Sequence, residues 1–195
     1  MGIVHTPGML SRPHLSIAGA RRSFVTRPDL ALLEDVVAPK VLDALKLASQ
    51  ALANAGVRHV VVGGLAVGAH GYPRATKDVD FLVGDEAFEQ HPGGLVTMRA
   101  GIPIQVNGVA IDLLSIGEGE DYLTEALGAA PGSVAEAAPL VYLKLKSPRH
   151  KDRTDVIELV KAGIDVESVR AYLKAHAPAF LASFEAAVEQ AASEE

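Results

Sequence analysis

Two aspartates, Asp78 and Asp80, stand among apolar residues in the run DVDFLV. Successive side chains of a β-strand point to opposite faces, so these two carboxylates would project from the same face. Neighbouring carboxylates repel each other unless a cation or a proton lies between them. Mg²⁺ prefers oxygen ligands and is usually held by one or two carboxylates together with substrate phosphates. The pair therefore predicts a divalent metal site.

A third carboxylate, Asp112, lies in a second strand-like run, VAIDLLS. If this strand pairs beside the strand of Asp78 and Asp80, the three carboxylates converge. Such a group is suited to holding two ions of Mg²⁺ or Mn²⁺ around an in-line displacement at phosphorus. Two structural alternatives stay open. In one, Asp112 is an ordinary solvated aspartate at a strand end. In the other, Asp78 and Asp80 form ionic contacts with Arg74 or Lys77.

The glycine pair Gly63-Gly64 follows the apolar run VRHVVV and precedes a short predicted helix. This order leaves backbone N–H groups open at a helix start, where phosphate binds well, and glycine lets the phosphate approach closely. Arg74 could neutralise phosphate oxygens, and the hydroxyl of Thr76 would face the same way as Asp78 on a continuing strand. Taken singly, the glycines are also typical of a tight turn and Arg74 of a surface arginine.

Hydrophobic periodicity and chain-breaking residues predict the elements that must position these side chains. We expect a helix over residues 29–56 that Pro39 kinks or divides, followed by strands at the glycine and aspartate motifs. The pair Asn107-Gly108 suits a type I′ hairpin turn before the strand of the third aspartate. After residue 117 the pattern favours four or five helices. The expected fold class is α+β, with a small mixed β-sheet flanked by helices and a C-terminal helical segment.

Composition limits the classes of protein to consider. The 195 residues include 49% hydrophobic residues and carry a formal charge of −6, which argues against a generally basic nucleic-acid-binding protein. The absence of cysteine excludes disulfides and cysteine zinc sites. The longest apolar run, residues 60–69, is half the length that a membrane-spanning helix needs. We therefore expect a cytoplasmic protein with no membrane partner.

Three regions differ in character along the chain. Residues 1–28 contain four arginines and no acidic residue. Such a segment is typical of an organellar transit peptide, of translation from an upstream start codon or of a flexible tail, and we favour an N-terminal tail. Residues 29–118 carry the motifs and form the expected catalytic core, and residues 119–195 form the expected C-terminal helical segment.

Together the motifs resemble the signature of the DNA polymerase beta superfamily of nucleotidyltransferases. The matching segments are Val62-Gly63-Gly64, Asp78-Val79-Asp80-Phe81 and Ile111-Asp112-Leu113. More narrowly, HGYPRATKDVDFLV is similar to the branch that includes AbiEii/AbiGii-type toxins of toxin–antitoxin systems. A lysine on a later helix and a Lys-Asp-x-x-Asp segment are expected in that branch, and Lys144 and residues 151–155 supply them.

This resemblance implies a nucleotidyltransferase fold. It also implies the transfer of a nucleoside monophosphate from an NTP, such as ATP, to an acceptor hydroxyl, with release of pyrophosphate. Asp112 would bind the metal nearest the acceptor and help to deprotonate its hydroxyl. The implied site residues are Asp78, Asp80 and Asp112 for the metals, Gly63, Gly64, Arg74, Thr76 and Lys144 for the triphosphate, and Asp155 for orienting Lys144 or positioning the acceptor.

The acceptor and the partners are less constrained by the sequence. RNA, with a tRNA 3′ end as the first guess, is the expected acceptor, while a protein hydroxyl or a small molecule stays open. The toxin-like branch also implies a cognate antitoxin protein. Two rival interpretations are a catalytically inactive protein that binds a nucleotide or a partner, and a regulatory binding module. The basic run KLKSPRHKDR is either a solvated face or a local contact for a triphosphate or RNA.

Overall fold

The computed structural model describes residues 27–128 and 130–194. The expected N-terminal tail, residues 1–28, therefore lies outside the described residues except for its last two positions. The strands are β1 His59–Val61, β2 Asp78–Val83, β3 Phe88–Gln90, β4 Val96–Met98, β5 Gln105–Val106 and β6 Val109–Ser115. The α-helices are α1 Pro39–Asn54, α2 Gly63–Ala69, α3 Ala137–Lys146, α4 His150–Lys161, α5 Val166–His176 and α6 Leu181–Ser193.

A four-stranded mixed sheet with the order β1-β2-β6-β5 forms the centre of the fold. The strands β2 and β6 are parallel, whereas β1 with β2 and β5 with β6 are antiparallel. Asn107 and Gly108, with φ of 51° and 76°, form the tight turn between β5 and β6, which agrees with the predicted type I′ geometry. The expected α+β architecture, a small mixed sheet flanked by helices, is confirmed.

Helix α1 begins at Pro39, where the missing N–H of proline leaves no hydrogen bond unmade. The predicted helix over residues 29–56 is thus divided, and a short 3-10 helix, Leu30–Leu33, precedes the proline. The buried side of α1 packs against one face of the sheet through Leu45, Val79 and Phe81. This face contains the β2 residues that alternate with the aspartates.

The other face of the sheet packs against the C-terminal helices. Leu82 of β2 lies in one hydrophobic cluster with Leu140 of α3, Leu159 of α4 and Phe184 of α6. Asp78 and Asp80 share this face with Leu82, because side chains two residues apart project the same way. The aspartates therefore face the C-terminal helical segment.

Of the helices expected after residue 117, the first is a 3-10 helix, Asp121–Ala126, which ends where Leu127 becomes extended, and α3 to α6 follow it. The sequence pattern did not predict the short strand β3, which pairs with β4 in a separate two-stranded sheet. Within residues 27–128 and 130–194, no helix combines the length and hydropathy that crossing a bilayer requires.

Candidate active site

The register between β2 and β6 sets the positions of the three aspartates. Asp80 is paired directly with Asp112, and Asp78 is paired with Ala110. Partners on adjacent strands project to the same face, so the Asp112 carboxylate lies beside that of Asp80. Asp112 is exposed, while Asp78 and Asp80 are partly buried. The structure thus brings the three sequence-predicted acids to one face, with Asp112 on its open side.

The electrostatics of Asp80 reflect this crowding. Burial raises the pKa of the Asp80 carboxyl above its ordinary value, and the charges of Asp78 and Asp112 raise that pKa further. The charges of Lys144 and Arg149 oppose the rise without cancelling it. An ionised Asp80 is therefore held at an unfavourable position in the free protein, which an added cation would relieve.

The side chain of Asp80 lies so close to residue 63 that only glycine fits there. Its φ is +64°, and a Cβ at this position would lie 1.8 Å from Oδ2 of Asp80. The main chains are joined as well, because the Val62 N–H donates to the Asp80 carbonyl at 2.9 Å. From its place before α2, Gly63 is expected to let a phosphate approach the backbone closely. The structure adds a different reason for glycine, namely the close contact with the carboxylate itself.

Gly64 lies beside two other residues predicted to bind phosphate, Thr76 and Arg74. A Cβ on Gly64 would be 3.1 Å from the Thr76 hydroxyl oxygen and 3.4 Å from Nη1 of Arg74. Strand β2 begins only at Asp78, and Thr76 lies before it and donates a hydrogen bond to Asp78 Oδ1 at 2.8 Å. Thr76 therefore orients an aspartate.

Lys144 is the centre of a buried ionic network on α3 and α4. Its Nζ lies 2.7 Å from Asp152 Oδ1 and 2.7 Å from Asp155 Oδ2. Arg74 donates two hydrogen bonds to Asp155, from Nε at 2.9 Å and from Nη2 at 2.8 Å. Of the two roles considered for Asp155, orienting Lys144 matches these contacts. Arg74 and Lys144 thus already form ion pairs with aspartates, and any contact with phosphate would be made in addition to these pairs.

Asp152 extends this network and was absent from the sequence-predicted site. Its Oδ2 accepts hydrogen bonds from Ser147 Oγ at 2.5 Å and from Arg149 Nε at 2.7 Å. Burial alone would raise the pKa of Asp152, but the hydrogen bonds from Lys144, Ser147 and Arg149 outweigh it and hold the pKa at about 2. The signal was present in the sequence, because Asp152 and Asp155 are three residues apart and share one helical face.

A cavity of about 50 Å³ lies between Asp80 and this network. Its lining includes Gly63 and Asp80 from the sheet side and Lys144, Ser147 and Arg149 from the helices. Ligand pockets usually have volumes of about 300–1,000 Å³. The cavity is therefore large enough for an ion or a few waters, and a nucleotide would have to extend toward the open side, where Asp112 lies.

The chemistry of these donors fits Mg²⁺ or Mn²⁺, since the carboxylates offer only oxygen ligands. In the described part of the chain, no three His, Asp or Glu side chains enclose a common metal position. Mg²⁺ rarely uses an all-protein cage, and substrate phosphates normally complete its coordination. The raised pKa of Asp80 is the observation that favours a cation here. The arrangement fits an ion that arrives with a phosphate-bearing substrate.

No family model and no curated protein matches the chain. Among solved structures, the chain is similar to an antigenic nucleotidyltransferase-like protein from Paracoccidioides brasiliensis, with 13% sequence identity and a TM-score of 0.43. The similarity covers 77% of this chain and 94% of the other. A likeness at this TM-score supports no argument about substrate or activity.

We predict that Gly63→Ala destabilises the protein far more than a matched glycine substitution. Gly94 also has a positive φ, of +84°, but a Cβ there would meet nothing within 4 Å. Gly94→Ala should therefore lower the free energy of unfolding by about 1–2 kcal/mol, the cost of a left-handed backbone alone. Gly63→Ala adds the overlap with Asp80 and should cost at least about 3 kcal/mol in urea unfolding. Equal losses would show that the Asp80 contact is absent.

We predict that Asp80→Asn stabilises the metal-free protein at neutral pH. Because folding raises the pKa of this acid above 3.8, its ionisation opposes folding at pH 7, and the opposition fades as the pH falls toward 4. The midpoint of thermal unfolding in EDTA should rise by about 2–4 °C at pH 7, for a gain of about 1 kcal/mol. Asp43→Asn, at an exposed position on α1, should change the midpoint little. A decrease for Asp80→Asn at pH 7, or a pH-independent gain, would contradict the crowding of carboxylates.

Proposed function

We propose that the protein is a metal-dependent nucleotidyltransferase that transfers a nucleoside monophosphate from an NTP to an acceptor hydroxyl. The observation that carries the proposal is the pairing of Asp80 with Asp112 on parallel strands, with Asp78 on the same face and Gly63 against the Asp80 carboxylate. Three carboxylates on one face, among which burial and the neighbouring charges make the ionised form of Asp80 unfavourable, are the arrangement that a divalent cation bound to a triphosphate would stabilise.

The aspartates would divide the work of this reaction between metal binding and activation of the acceptor. Asp78 and Asp80 would hold Mg²⁺ or Mn²⁺, which when bound neutralises phosphate charge and polarises the reacting phosphorus. Thr76 keeps Asp78 in place by donating to its Oδ1. Asp112 would bind the metal nearest the acceptor and accept the proton of the incoming hydroxyl, and its exposed position supports this role.

Positive charge for the phosphates would come from Lys144 and Arg74. Lys144 lies in the same cavity as Asp80, and Arg74 lies against Gly64. Their acidic partners, Asp152 and Asp155, hold the two cations in fixed positions before any substrate arrives. Charges fixed in this way stabilise developing negative charge without reorganisation.

An RNA acceptor, with a tRNA 3′ end as the first candidate, is the finer part of the proposal. Lys146 and Arg149 keep half or more of their side-chain surface exposed, and Lys151 and Arg153 of α4 are exposed as well. These residues add exposed positive charge around the end of α3 and the start of α4 on an otherwise acidic protein, and Arg149 among them lines the cavity. A toxin role with a cognate antitoxin protein is supported only by the resemblance of the sequence motifs.

The alternative function is a catalytically inactive protein that binds a nucleotide or a partner. The closed ionic network favours it, since Lys144 and Arg74 already contact carboxylates at 2.7–2.8 Å. The two functions differ in whether the nucleotide is consumed, which a labelling experiment measures directly.

We predict that the protein, incubated with Mg²⁺, α-labelled NTPs and total RNA, transfers label and releases pyrophosphate. Asp80→Asn and Asp112→Asn should each reduce transfer at least about 10²-fold, because each removes a charged group that acts on the reacting phosphate or hydroxyl. Asp43→Asn serves as the matched control, and its transfer rate should equal that of the original protein.

The position of the label decides the acceptor. Label on RNA supports the RNA proposal, whereas label on the protein or on an added small alcohol identifies another acceptor for the same chemistry. Nucleotide binding without transfer under Mg²⁺ and under Mn²⁺ would contradict the catalytic proposal and favour the inactive alternative. Equal transfer by Asp43→Asn and Asp112→Asn would contradict the role of Asp112.

A further inference from the structure

Arg149 differs from the other exposed cations at the end of α3 and the start of α4. It is the residue that precedes α4, and its side chain keeps 62% of its surface exposed. It lines the same small cavity as Asp80. The other exposed cations of this region do not line that cavity, namely Lys146, Lys151 and Arg153. Arg153 instead lines a separate cavity that α4 forms with α6.

The guanidinium of Arg149 is held through one of its three nitrogens. Nε donates to Asp152 Oδ2 at 2.7 Å and to Ser147 Oγ at 3.2 Å. Among residues 27–128 and 130–194, no acceptor forms a hydrogen bond with Nη1 or Nη2 of this side chain. Asp152 is itself fixed, because Lys144 also donates to it. The side chain of Arg149 is thus anchored while its forked pair of amino groups stays available to a ligand.

The two neighbouring cations are less available. Lys144 Nζ is nearly buried and lies 2.7 Å from both Asp152 and Asp155. Arg74 uses two nitrogens, Nε and Nη2, to contact Asp155. The three cations share two carboxylates, so one positive charge in the network has no counter-charge. Because Arg149 is the most exposed of the three, this surplus charge is accessible from solvent.

The position of Arg149 also relates it to the metal-binding face. Burial raises the pKa of the Asp80 carboxyl, and the charge of Arg149 is close enough to oppose that rise. The cavity that both residues line has a volume of about 50 Å³, far below the about 300–1,000 Å³ of usual ligand pockets. A triphosphate whose metal is bound at Asp80 would therefore leave part of its chain outside the cavity.

We propose that Arg149 binds the outer phosphates of the NTP, the β- and γ-phosphates, through Nη1 and Nη2. The guanidinium fork matches a pair of phosphate oxygens, and such charge-assisted hydrogen bonds are about twice as strong as neutral ones. This inference rests on the proposed nucleotidyltransferase function. It adds to that function the side chain that recognises the pyrophosphate part of the substrate, outside the buried network of Lys144 and Arg74.

Inorganic triphosphate is the probe for the test, because it carries the phosphate chain whichever base the NTP has. The full chain is titrated with the Mg²⁺ complex of inorganic triphosphate by calorimetry, without RNA. Arg149→Ala should weaken this binding about tenfold or more, because it removes a forked, charge-assisted contact. Arg149→Lys keeps the charge but not the fork, so it should weaken binding by a smaller factor.

Arg58→Ala is the matched control. Arg58 is an exposed arginine whose Nε also donates to a carboxylate, that of Glu86 at 2.8 Å, and it does not line the cavity of Asp80. Removing its charge should leave triphosphate binding within about twofold of that of the original protein, because solvent screens distant exposed charges. Equal weakening in Arg58→Ala and Arg149→Ala would show only the loss of net positive charge and would overturn the proposal.

The binding test is separate from label transfer. Weaker triphosphate binding by Arg149→Ala, with no label transfer by the original protein, would support the phosphate contact and contradict the transferase. Label transfer by the original protein, with unchanged triphosphate binding by Arg149→Ala, would do the reverse.

Two further results would overturn the proposal. One is that the original protein does not bind the Mg²⁺ complex of inorganic triphosphate. The other is that Arg149→Ala weakens RNA binding alone, which would assign Arg149 to the acceptor. If Arg149→Ala fails to fold, Arg149→Lys decides the matter: weaker triphosphate binding supports the forked contact, and unchanged binding contradicts it.

Discussion

The parallel pairing of β2 with β6 is the constraint on which the candidate site depends. This register is fixed by the core, because Val79, Phe81 and Ile111 are buried on the opposite face of the sheet and a slip of one residue would expose them. The main chains at Asp80 and Asp112 therefore cannot move apart without loss of core packing. Burial on this face raises the pKa of Asp80, and the neighbouring charges of Asp78 and Asp112 raise that pKa further.

The C-terminal helices supply the opposite charge. Lys144 is nearly buried, and a buried ammonium is stable only with close anionic partners, here Asp152 and Asp155. Such a network adds little net stability, but it fixes where the positive charge lies relative to Asp80. The site thus combines a negative half built by the sheet with a positive half built by α3 and α4, and both halves line the same small cavity.

The sequence predicted the parts of this arrangement that depend on local patterns. The strand of Asp78 and Asp80 follows from the two-residue alternation of apolar and polar side chains. The glycine at the start of α2 and the hairpin turn at Asn107 follow from the backbone preferences of those residues. The contact of Arg74 with Asp155 could not be predicted in this way, because its partners lie on elements far apart in the chain. The short strand β3 was missed since three residues carry too little periodicity to be recognised.

The central claim is that Asp78, Asp80 and Asp112 lie together on one face and bind a divalent cation. Direct measurement of the pKa of the Asp80 carboxyl tests it. Carbon-detected NMR of ¹³C-aspartate-labelled protein follows this group as the pH is changed, with and without Mg²⁺ and a non-hydrolysable NTP analogue. The account predicts a pKa above the ordinary 3.8 in the free protein and a marked fall on addition of Mg²⁺ and the analogue, because the cation favours the ionised form. An ordinary pKa that neither addition changes would contradict it.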